Sequence, residues 1–226
     1  KIYEMGTLIL IRHGQSQWNL ENRFTGWTDV PLTAQGEKDV ATAATHLKEF
    51  HFDIGFTSRL QRAHKSLDIL LKTLGQDTIP VVADSALNER HYGELQGLNK
   101  AETAEKYGQE KVTLWRRSYD VPPPGGESIK DTCFRVLPFF KWTILPEVYA
   151  GKTVLVAASG NSIRPMIQYL DHLDDEATAK MEIGLTTPYI YTFEGEKMTK
   201  KEVREIPGIV TLGASQTQKT VEEGRA

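Results

Sequence analysis

The sequence predicts an α/β fold, a three-layer sandwich with a mostly parallel central sheet and an inserted lobe over the C-terminal edge of that sheet. Short apolar runs at 7–12 (TLILIR) and 153–158 (TVLVAA) are typical of strands buried on both faces. Strand-like segments alternate along the chain with segments of helical periodicity, as in strand–helix–strand units. Helices should therefore cover both faces of one sheet.

The first half of the chain should contribute three strands and two helices. The first strand, 7–12, ends at a His-Gly turn, and a helix over 33–50 follows, capped by a threonine. Further strands are expected at 53–57 and 79–83. The helix between them should be closed by a glycine at its C-terminus. Its buried face is marked at helical spacing by Leu60, Ala63, Leu67, Leu70, Leu71 and Leu74.

The pattern changes between Ala86 and Gly126, which we interpret as a lobe inserted into the sandwich. Polar, aromatic and basic residues predominate there. One helix is expected in it, with Asn99 as its N-cap and Gly108 after its end. The stretch 121–126 (VPPPGG) should be an extended loop. Because ligands bind at the carboxyl ends of strands in such sheets, this lobe would roof a binding site.

Prolines mark two helices in the second half of the chain. Ser128 begins a long helix that Pro138 and Pro146 should kink or split. After the strand at 153–158, a helix is expected over about 161–170. Pro165 should lie near the first turn of that helix, where a missing N–H is tolerated.

The last predicted strand covers 189–193, and residues 214–226 should form a polar, mobile tail. The 226 residues are enough to bury one sizeable core. We therefore expect a single domain over 1–226, which includes the lobe and the tail.

The overall composition excludes several classes of protein. The formal net charge is −3, without the basic excess typical of nucleic-acid or membrane-surface binders. The single cysteine, Cys133, cannot form an intrachain disulfide and fits a reducing compartment. No run approaches 18 apolar residues and the amino end lacks the apolar stretch of a signal peptide, so we expect a cytoplasmic protein. The histidines show no metal-ligand spacing, so no metal is expected.

The two buried strands end in similar polar segments. The first gives Arg12-His13-Gly14-Gln15-Ser16, and the second gives Ser159-Gly160-Asn161-Ser162. Each precedes a helix, and the backbone N–H groups and positive helix ends there should face a common anion site. Histidine at such a position can act as a nucleophile when its imidazole is neutral. From spacing alone, a structural role for His13 is an equal alternative.

Basic residues on other segments could complete an anion pocket. Arg62 opens a helix, and the lobe adds Arg90, Lys100, Arg116 and Arg117. Guanidinium groups suit the oxygens of a transferring phosphoryl group. A carboxylate among them, that of Glu89, could carry the proton of a substrate hydroxyl. The alternatives are a solvated helix face for the paired arginines and a structural ion pair for the glutamate.

Several motifs resemble those of the histidine phosphatase superfamily and, within it, of the cofactor-dependent phosphoglycerate mutases. The first is the run 10–16 (LIRHGQS). More specific are the runs 22–27 (NRFTGW), 87–93 (LNERHYG), 95–100 (LQGLNK) and 115–117 (WRR). The resemblance extends over about residues 7–205.

The resemblance implies an isomerase of glycolysis and gluconeogenesis that interconverts 3-phosphoglycerate and 2-phosphoglycerate through a phosphohistidine at His13. It implies 2,3-bisphosphoglycerate as the priming phosphate donor, no metal, and small-molecule phosphoglycerates as partners, and it leaves a homo-oligomer open. Catalytic roles would fall to Arg12, His13, Arg62, Glu89 and Ser159. Substrate-binding roles would fall to Gly14, Gln15, Ser16, Gln17, Trp18, Asn19, Thr25, Gly26, Arg90, His91, Tyr92, Lys100, Arg116, Arg117, Gly160 and Asn161.

Ser159 departs from the family pattern, which has a second histidine at this position. A serine hydroxyl can donate one hydrogen bond but cannot carry a positive charge. We expect this change to lower turnover. Two alternatives therefore stay open: a histidine phosphatase acting on small phosphate esters, and a non-catalytic phosphoglycerate-binding paralogue.

Overall fold

The computed structural model describes residues 4–209, and the tail predicted at 214–226 lies outside the described residues. One six-stranded mixed sheet runs through the molecule, in the order β3-β2-β4-β1-β5-β6. The first four strands of that order are parallel, whereas β5 and β6 are antiparallel to their neighbours. The strands are β1 (Met5–Arg12), β2 (Ile54–Thr57), β3 (Val81–Ala83), β4 (Thr153–Ala158), β5 (Pro188–Glu194) and β6 (Lys197–Val203).

Helices cover both faces of this sheet, so the predicted three-layer α/β sandwich is confirmed. Side chains of a strand point alternately to its two faces. In β1, Ile9 and Ile11 belong to the apolar core beneath α2 and α3, whereas Leu8 and Leu10 belong to the core beneath α6, α7 and α8. The helices are α1 (Gln17–Leu20), α2 (Ala34–Thr45), α3 (Gln61–Leu74), α4 (Lys100–Tyr107), α5 (Gln109–Arg117), α6 (Ile129–Phe139), α7 (Leu145–Tyr149), α8 (Gly160–Asp171) and α9 (Asp175–Lys180).

The long helix that begins after Ser128 is split, as its prolines predict. The side chain of Ser128 accepts a hydrogen bond from the backbone N–H of Asp131, and that carboxylate accepts in return from the Ser128 backbone. After Pro138 the chain forms a π-helical segment, Phe140–Ile144, and α7 follows with Pro146 at its start. Proline cannot donate to the helical ladder, so the hydrogen-bonding pattern changes at these positions.

Four details of the predicted elements are wrong. Helix α2 ends at Thr45 and does not continue to residue 50, because tighter turns follow it. The lobe contains two helices, α4 and α5, which meet at Gly108, where φ is +89°. Helix α9 and strand β6 have no counterpart in the predicted order. Pro165 lies in the second turn of α8, because that helix begins at Gly160.

The lobe between Ala86 and Gly126 lies over the carboxyl ends of β1 and β4. Its residues Glu89 and Tyr92 line the same cavity as Arg12, at the end of β1, and Gly160, just after β4. The predicted placement of the lobe is therefore confirmed, while the single domain over 1–226 stays a prediction. Within residues 4–209, no helix has the length and apolar character that crossing a membrane requires.

Candidate active site

The sheet register brings the two polar strand ends side by side. Strands β1 and β4 pair in parallel from Thr7 with Thr153 to Arg12 with Ala158. The backbone N–H of His13 donates to the carbonyl of Ala158 over 3.0 Å. His13 and Ser159 therefore occupy equivalent positions at the ends of neighbouring strands, where a ligand site is expected in an open α/β sheet.

His13 is held as a neutral imidazole, and its second ring nitrogen has no hydrogen-bond partner among residues 4–209. Its Nδ1 lies 2.7 Å from the carbonyl oxygen of Gly14. Because a carbonyl only accepts, Nδ1 carries the proton and the lone pair is on Nε2. Burial, and then the positive charges of Arg62 and Arg12, keep the pKa of His13 well below its ordinary value. The side chain is 2% exposed, and a neutral Nε2 in this position is a competent nucleophile.

Close packing of two glycines fixes the turn that carries His13. A Cβ at Gly14 would lie 2.4 Å from the carbonyl oxygen of Gly36 in the first turn of α2. The N–H of Gly14 donates to Oγ of Ser66 over 3.1 Å, and Ser66 in turn donates to the carbonyl of Arg62. The turn after β1 is thus anchored to both α2 and α3.

Two arginines flank the histidine, the buried Arg62 and the partly buried Arg12. Arg62, in the first turn of α3, donates to the carbonyls of Gly26 at 2.7 Å and Thr28 at 3.1 Å. Arg12 donates through Nη1 to the carbonyl of Ile183 at 2.8 Å, and its buried Nε has no hydrogen-bond partner among the described residues. Burial lowers the pKa of both guanidinium groups from their ordinary value. Both stay charged at neutral pH, since arginine does not deprotonate in proteins.

The carboxylate of Glu89 acts electrostatically on both of these arginines. Its Oε1 accepts from the backbone N–H of Arg90 at 2.7 Å and from that of Asn161 at 3.1 Å. The second donor belongs to the first turn of α8, whose positive end favours a negative charge. The indole of Trp27 donates to the Glu89 carbonyl over 2.5 Å. Main chain and side chain of this residue are therefore both fixed.

The strand ends and the lobe enclose a strongly basic cavity that is open to solvent. Its empty volume is about 720 Å³. Six basic residues and a single carboxylate, that of Glu89, line it among the described residues. The basic residues are Arg12, Arg23, Lys100, Arg116, Arg117 and Arg164. A field of this sign within a protein of net charge −3 suits a ligand with several negative charges.

Burial, reinforced by neighbouring cations, lowers the pKa of two basic groups in the cavity. Burial, followed by the charges of Arg116 and Arg12, lowers the pKa of Lys100 to about 7. Burial lowers the pKa of Arg164 to about 10. Lys100 is thus part-neutral at physiological pH in the empty site, and an anion that binds beside it would restore its charge.

Residues 8–206 match the sequence profile of the histidine phosphatase superfamily (branch 1). The chain belongs to this superfamily. It is 52% identical over 192 residues to the 2,3-bisphosphoglycerate-dependent phosphoglycerate mutase 2 of Gloeobacter violaceus, covering 85% of this chain and 88% of that protein. It is 53% identical over 191 residues to the 2,3-bisphosphoglycerate-dependent phosphoglycerate mutase of Nitrobacter hamburgensis, covering 84% and 92%.

A solved structure of a mycobacterial glucosyl-3-phosphoglycerate phosphatase matches with a TM-score of 0.74 at 23% identity. The match covers 88% of this chain and 97% of that one. At this identity the likeness supports the histidine phosphatase fold only.

The structure brings many of the predicted site residues into the basic cavity of this superfamily member. His13, Arg62 and Ser159 are buried beside it. The predicted residues that line it are Arg12, Asn19, Thr25, Gly26, Glu89, Tyr92, Lys100, Arg116, Arg117, Gly160 and Asn161.

Other residues predicted to bind substrate do not line this cavity. Arg90 is 0% exposed, and its guanidinium donates to the carbonyls of Trp115 and Glu127. It therefore fixes the end of α5, next to Arg116. The side chain of Gln15 binds Thr33. The remaining residues of this group are Gly14, Ser16, Gln17, Trp18 and His91.

Sequence reasoning missed four residues of the cavity: Arg23, Phe24, Arg164 and Ile183. Arg23 and Phe24 stand inside the quoted run 22–27 without an assigned role. Arg164 follows Asn161 by three residues on α8, so helical spacing placed it on the same face. Ile183 carries no chemical signal in the sequence.

Ser159 makes no use of its hydroxyl within the described residues. Its side chain is 0% exposed and Oγ has no hydrogen-bond partner. Its backbone N–H donates to Oγ of Ser162 at 3.1 Å, which caps α8 from within.

Residues 4–209 contain no cluster of three His, Cys, Asp or Glu side chains that could hold a metal ion.

Proposed function

We propose that this chain is a 2,3-bisphosphoglycerate-dependent phosphoglycerate mutase, an isomerase of glycolysis and gluconeogenesis that interconverts 3-phosphoglycerate and 2-phosphoglycerate. The observation that carries the proposal is a neutral His13 with a free Nε2 beside a cavity lined by six basic residues. Relatives about half identical to the chain and named as such mutases support it.

In the proposed cycle, Nε2 of His13 attacks the phosphorus of a bound phosphate ester. The new bond joins nitrogen to phosphorus, and the bond from phosphorus to the ester oxygen breaks. In the reverse direction a substrate hydroxyl attacks the phosphorylated His13 and the nitrogen–phosphorus bond breaks. Transfer of this kind depends on positioning and charge stabilisation. Arg12 and Arg62, whose charges act on His13, supply positive charge at the equatorial oxygens.

Glu89 is the proposed proton carrier. When an ester oxygen leaves, it takes a proton from the carboxyl group, and when a hydroxyl attacks, the carboxylate takes the proton back. Two backbone N–H groups hold Oε1. The other carboxylate oxygen has no hydrogen-bond partner among the described residues, and Glu89 lines the cavity.

The cavity fits 2,3-bisphosphoglycerate, whose two phosphates and carboxylate need several cations. When bound, this molecule supplies a phosphoryl group to His13. Lys100, Arg116 and Arg117 from the lobe would hold its carboxylate and second phosphate, together with Asn19, Thr25, Gly26, Tyr92, Gly160 and Asn161. Retention by the lobe matters because the bisphosphorylated molecule must turn around before the second transfer.

The predicted residues that do not line the cavity have indirect roles in this proposal, because they shape the walls that carry the contacting groups. They are Gly14, Gln15, Ser16, Gln17, Trp18, Arg90 and His91. We further propose that the enzyme works in the cytoplasm on small-molecule phosphoglycerates.

A coupled assay of 3-phosphoglycerate conversion, with and without added 2,3-bisphosphoglycerate, tests the proposal. The unaltered chain should convert substrate in a bisphosphoglycerate-dependent manner and release little inorganic phosphate. His13→Asn should abolish turnover and the phosphohistidine. His64→Asn is the matched control, because His64 is half-exposed on α3, lies 3.7 Å from Asp68 and does not line the cavity. Retained turnover in His13→Asn would refute the mechanism, and steady phosphate release would favour a phosphatase.

A further inference from the structure

Arg135 on α6 is a half-buried arginine that lies outside the cavity. Its side chain is 19% exposed. The guanidinium contacts four main-chain carbonyls of the segment that carries Glu89. Three of them share the two hydrogens of Nη1, so the longest contact, to Ser85, is the weak branch of a shared hydrogen bond. The distances are 2.8 Å to Ala86, 3.0 Å to Asn88, 3.2 Å to Glu89 and 3.4 Å to Ser85. One side chain thus binds the carbonyls of a segment whose own regular structure is a single 3-10 turn, Ser85–Leu87.

A bidentate ion pair holds the same guanidinium in place. Nε of Arg135 donates to Oε1 of Glu127 at 3.0 Å, and Nη2 donates to Oε2 at 2.8 Å. Oε2 of Glu127 also accepts the backbone N–H of His91 at 2.8 Å. Both flanks of Glu89 are therefore tied to this pair. Planar fork geometry of this kind is specific to arginine, since a lysine ammonium is a single point of attachment.

Trp27 completes the arrangement from the opposite side. Its ring centroid lies 5.5 Å from the Arg135 guanidinium, and its indole N–H donates to the same Glu89 carbonyl that Arg135 binds. The carbonyl of Glu89 is thus fixed by two donors, and the direction of its side chain follows from the fixed backbone.

We propose that Arg135 is a positioning residue for Glu89, which sets the carboxyl group for proton transfer without touching the substrate. This inference rests on the proposed function, in which Glu89 carries the proton of the substrate hydroxyl. A displacement of about 1 Å at a reacting group can cost about 10²-fold in rate. Loss of the bidentate contacts of the Arg135 guanidinium should therefore slow only those steps in which Glu89 transfers a proton.

A comparison of two phosphoryl donors distinguishes a misplaced Glu89 from a general loss of active-site structure. The ester oxygen of bisphosphoglycerate needs a proton as it leaves, whereas p-nitrophenolate leaves without one. We expect Arg135→Gln to slow single-turnover phosphorylation of His13 by bisphosphoglycerate about 10²-fold. The burst of p-nitrophenolate from p-nitrophenyl phosphate should be unchanged. Arg135→Lys keeps the charge and should show the same difference between the two donors, with a smaller loss of rate for bisphosphoglycerate. This variant replaces Arg135→Gln in the test if Arg135→Gln does not fold.

Arg204→Gln is the matched control. Arg204 also pairs with carboxylates, those of Glu49 and Glu202, and lies over an aromatic ring, that of Phe50, far from the cavity lining. The Arg204→Gln variant should change neither the phosphorylation of His13 by bisphosphoglycerate nor the burst of p-nitrophenolate.

Equal losses with both donors, or no loss with either, would overturn the positioning role. Glu89→Gln is the reference for the proposed function. If Glu89→Gln shows no contrast between the donors, the proton role of Glu89 is wrong and the inference fails with it. If Glu89→Gln shows the contrast and Arg135→Gln does not, only the inference is wrong.

Discussion

Replacing Lys100 by arginine should remove a pH dependence of substrate binding that the cavity builds in. The pKa of Lys100 is lowered to about 7 by burial and by Arg116 and Arg12. Because Lys100 lines the cavity, a bound phosphoglycerate would favour its charged form. Above pH 7 the empty site must first take up a proton, so the apparent KM should rise with pH. A guanidinium stays charged across this range and needs no such uptake.

The size of the effect follows from the fraction of charged lysine in the empty site. With a pKa of about 7, that fraction is about one half at pH 7 and about one tenth at pH 8. If only charged Lys100 supports binding, KM should rise about fivefold between pH 7 and 8, and about ninefold more by pH 9. Phosphate monoesters have a second pKa near 6, so the substrate itself stays a dianion over this range.

The assay is steady-state kinetics of the coupled conversion from pH 7 to 9 at constant ionic strength. The unaltered chain should show the rise in KM, Lys100→Arg should show a flat profile, and Lys100→Met should show a high, flat KM. Lys106→Arg is the matched control, because Lys106 is exposed on the same helix and does not line the cavity. A flat KM in the unaltered chain, or an undiminished rise in Lys100→Arg, would refute the reasoning.

Three further predictions concern Ser159, Gly14 and Arg164. Ser159→Ala should leave kcat unchanged, because Oγ of Ser159 has no hydrogen-bond partner among the described residues. Ser159→His should raise kcat. A loss of kcat of about 10²-fold in Ser159→Ala, the effect of removing a preorganised hydrogen-bond donor, would contradict this prediction. Gly14→Ala places a Cβ 2.4 Å from the Gly36 carbonyl, so urea unfolding should show about 1–3 kcal/mol less stability. Gly55→Ala, with its nearest contact at 3.2 Å, should lose less, and equal losses would refute the packing argument. Arg164→Gln should raise KM by about tenfold or more through loss of a charged contact, and an unchanged KM would exclude Arg164 as a binding residue.

The strand ends were predictable because buried parallel strands leave strong local signals. The runs at 7–12 and 153–158 are apolar, short and followed at once by polar residues and glycine. Strands β1 and β4 differ from these ranges by at most two residues. The cations of the lobe could also be recognised as a group, although not as lining one cavity.

Elements with weak periodicity were missed or misplaced. Strand β6 reads Lys197–Val203 and carries four lysine or glutamate side chains, which suits an exposed edge but gives no alternation of apolar residues. Helix α9 covers six residues, and a helix this short has little periodicity to detect. Arg135 also gave no signal, since it lies within an ordinary amphipathic helix.

The sequence by itself determined the fold class, the two strand ends, the nucleophile candidate and an excess of basic residues around one carboxylate. These follow from local patterns, in which neighbouring residues set burial, turns and helix caps. Only the tertiary structure decided that His13 is neutral with Nε2 free, that Arg90 braces α5 without reaching the cavity, and that Arg164 faces the ligand space. It also decided that Arg135 clamps the Glu89 segment. The reason is that protonation, exposure and multiple hydrogen bonding depend on residues far apart in the chain, which the sheet register and the packing of the lobe bring together.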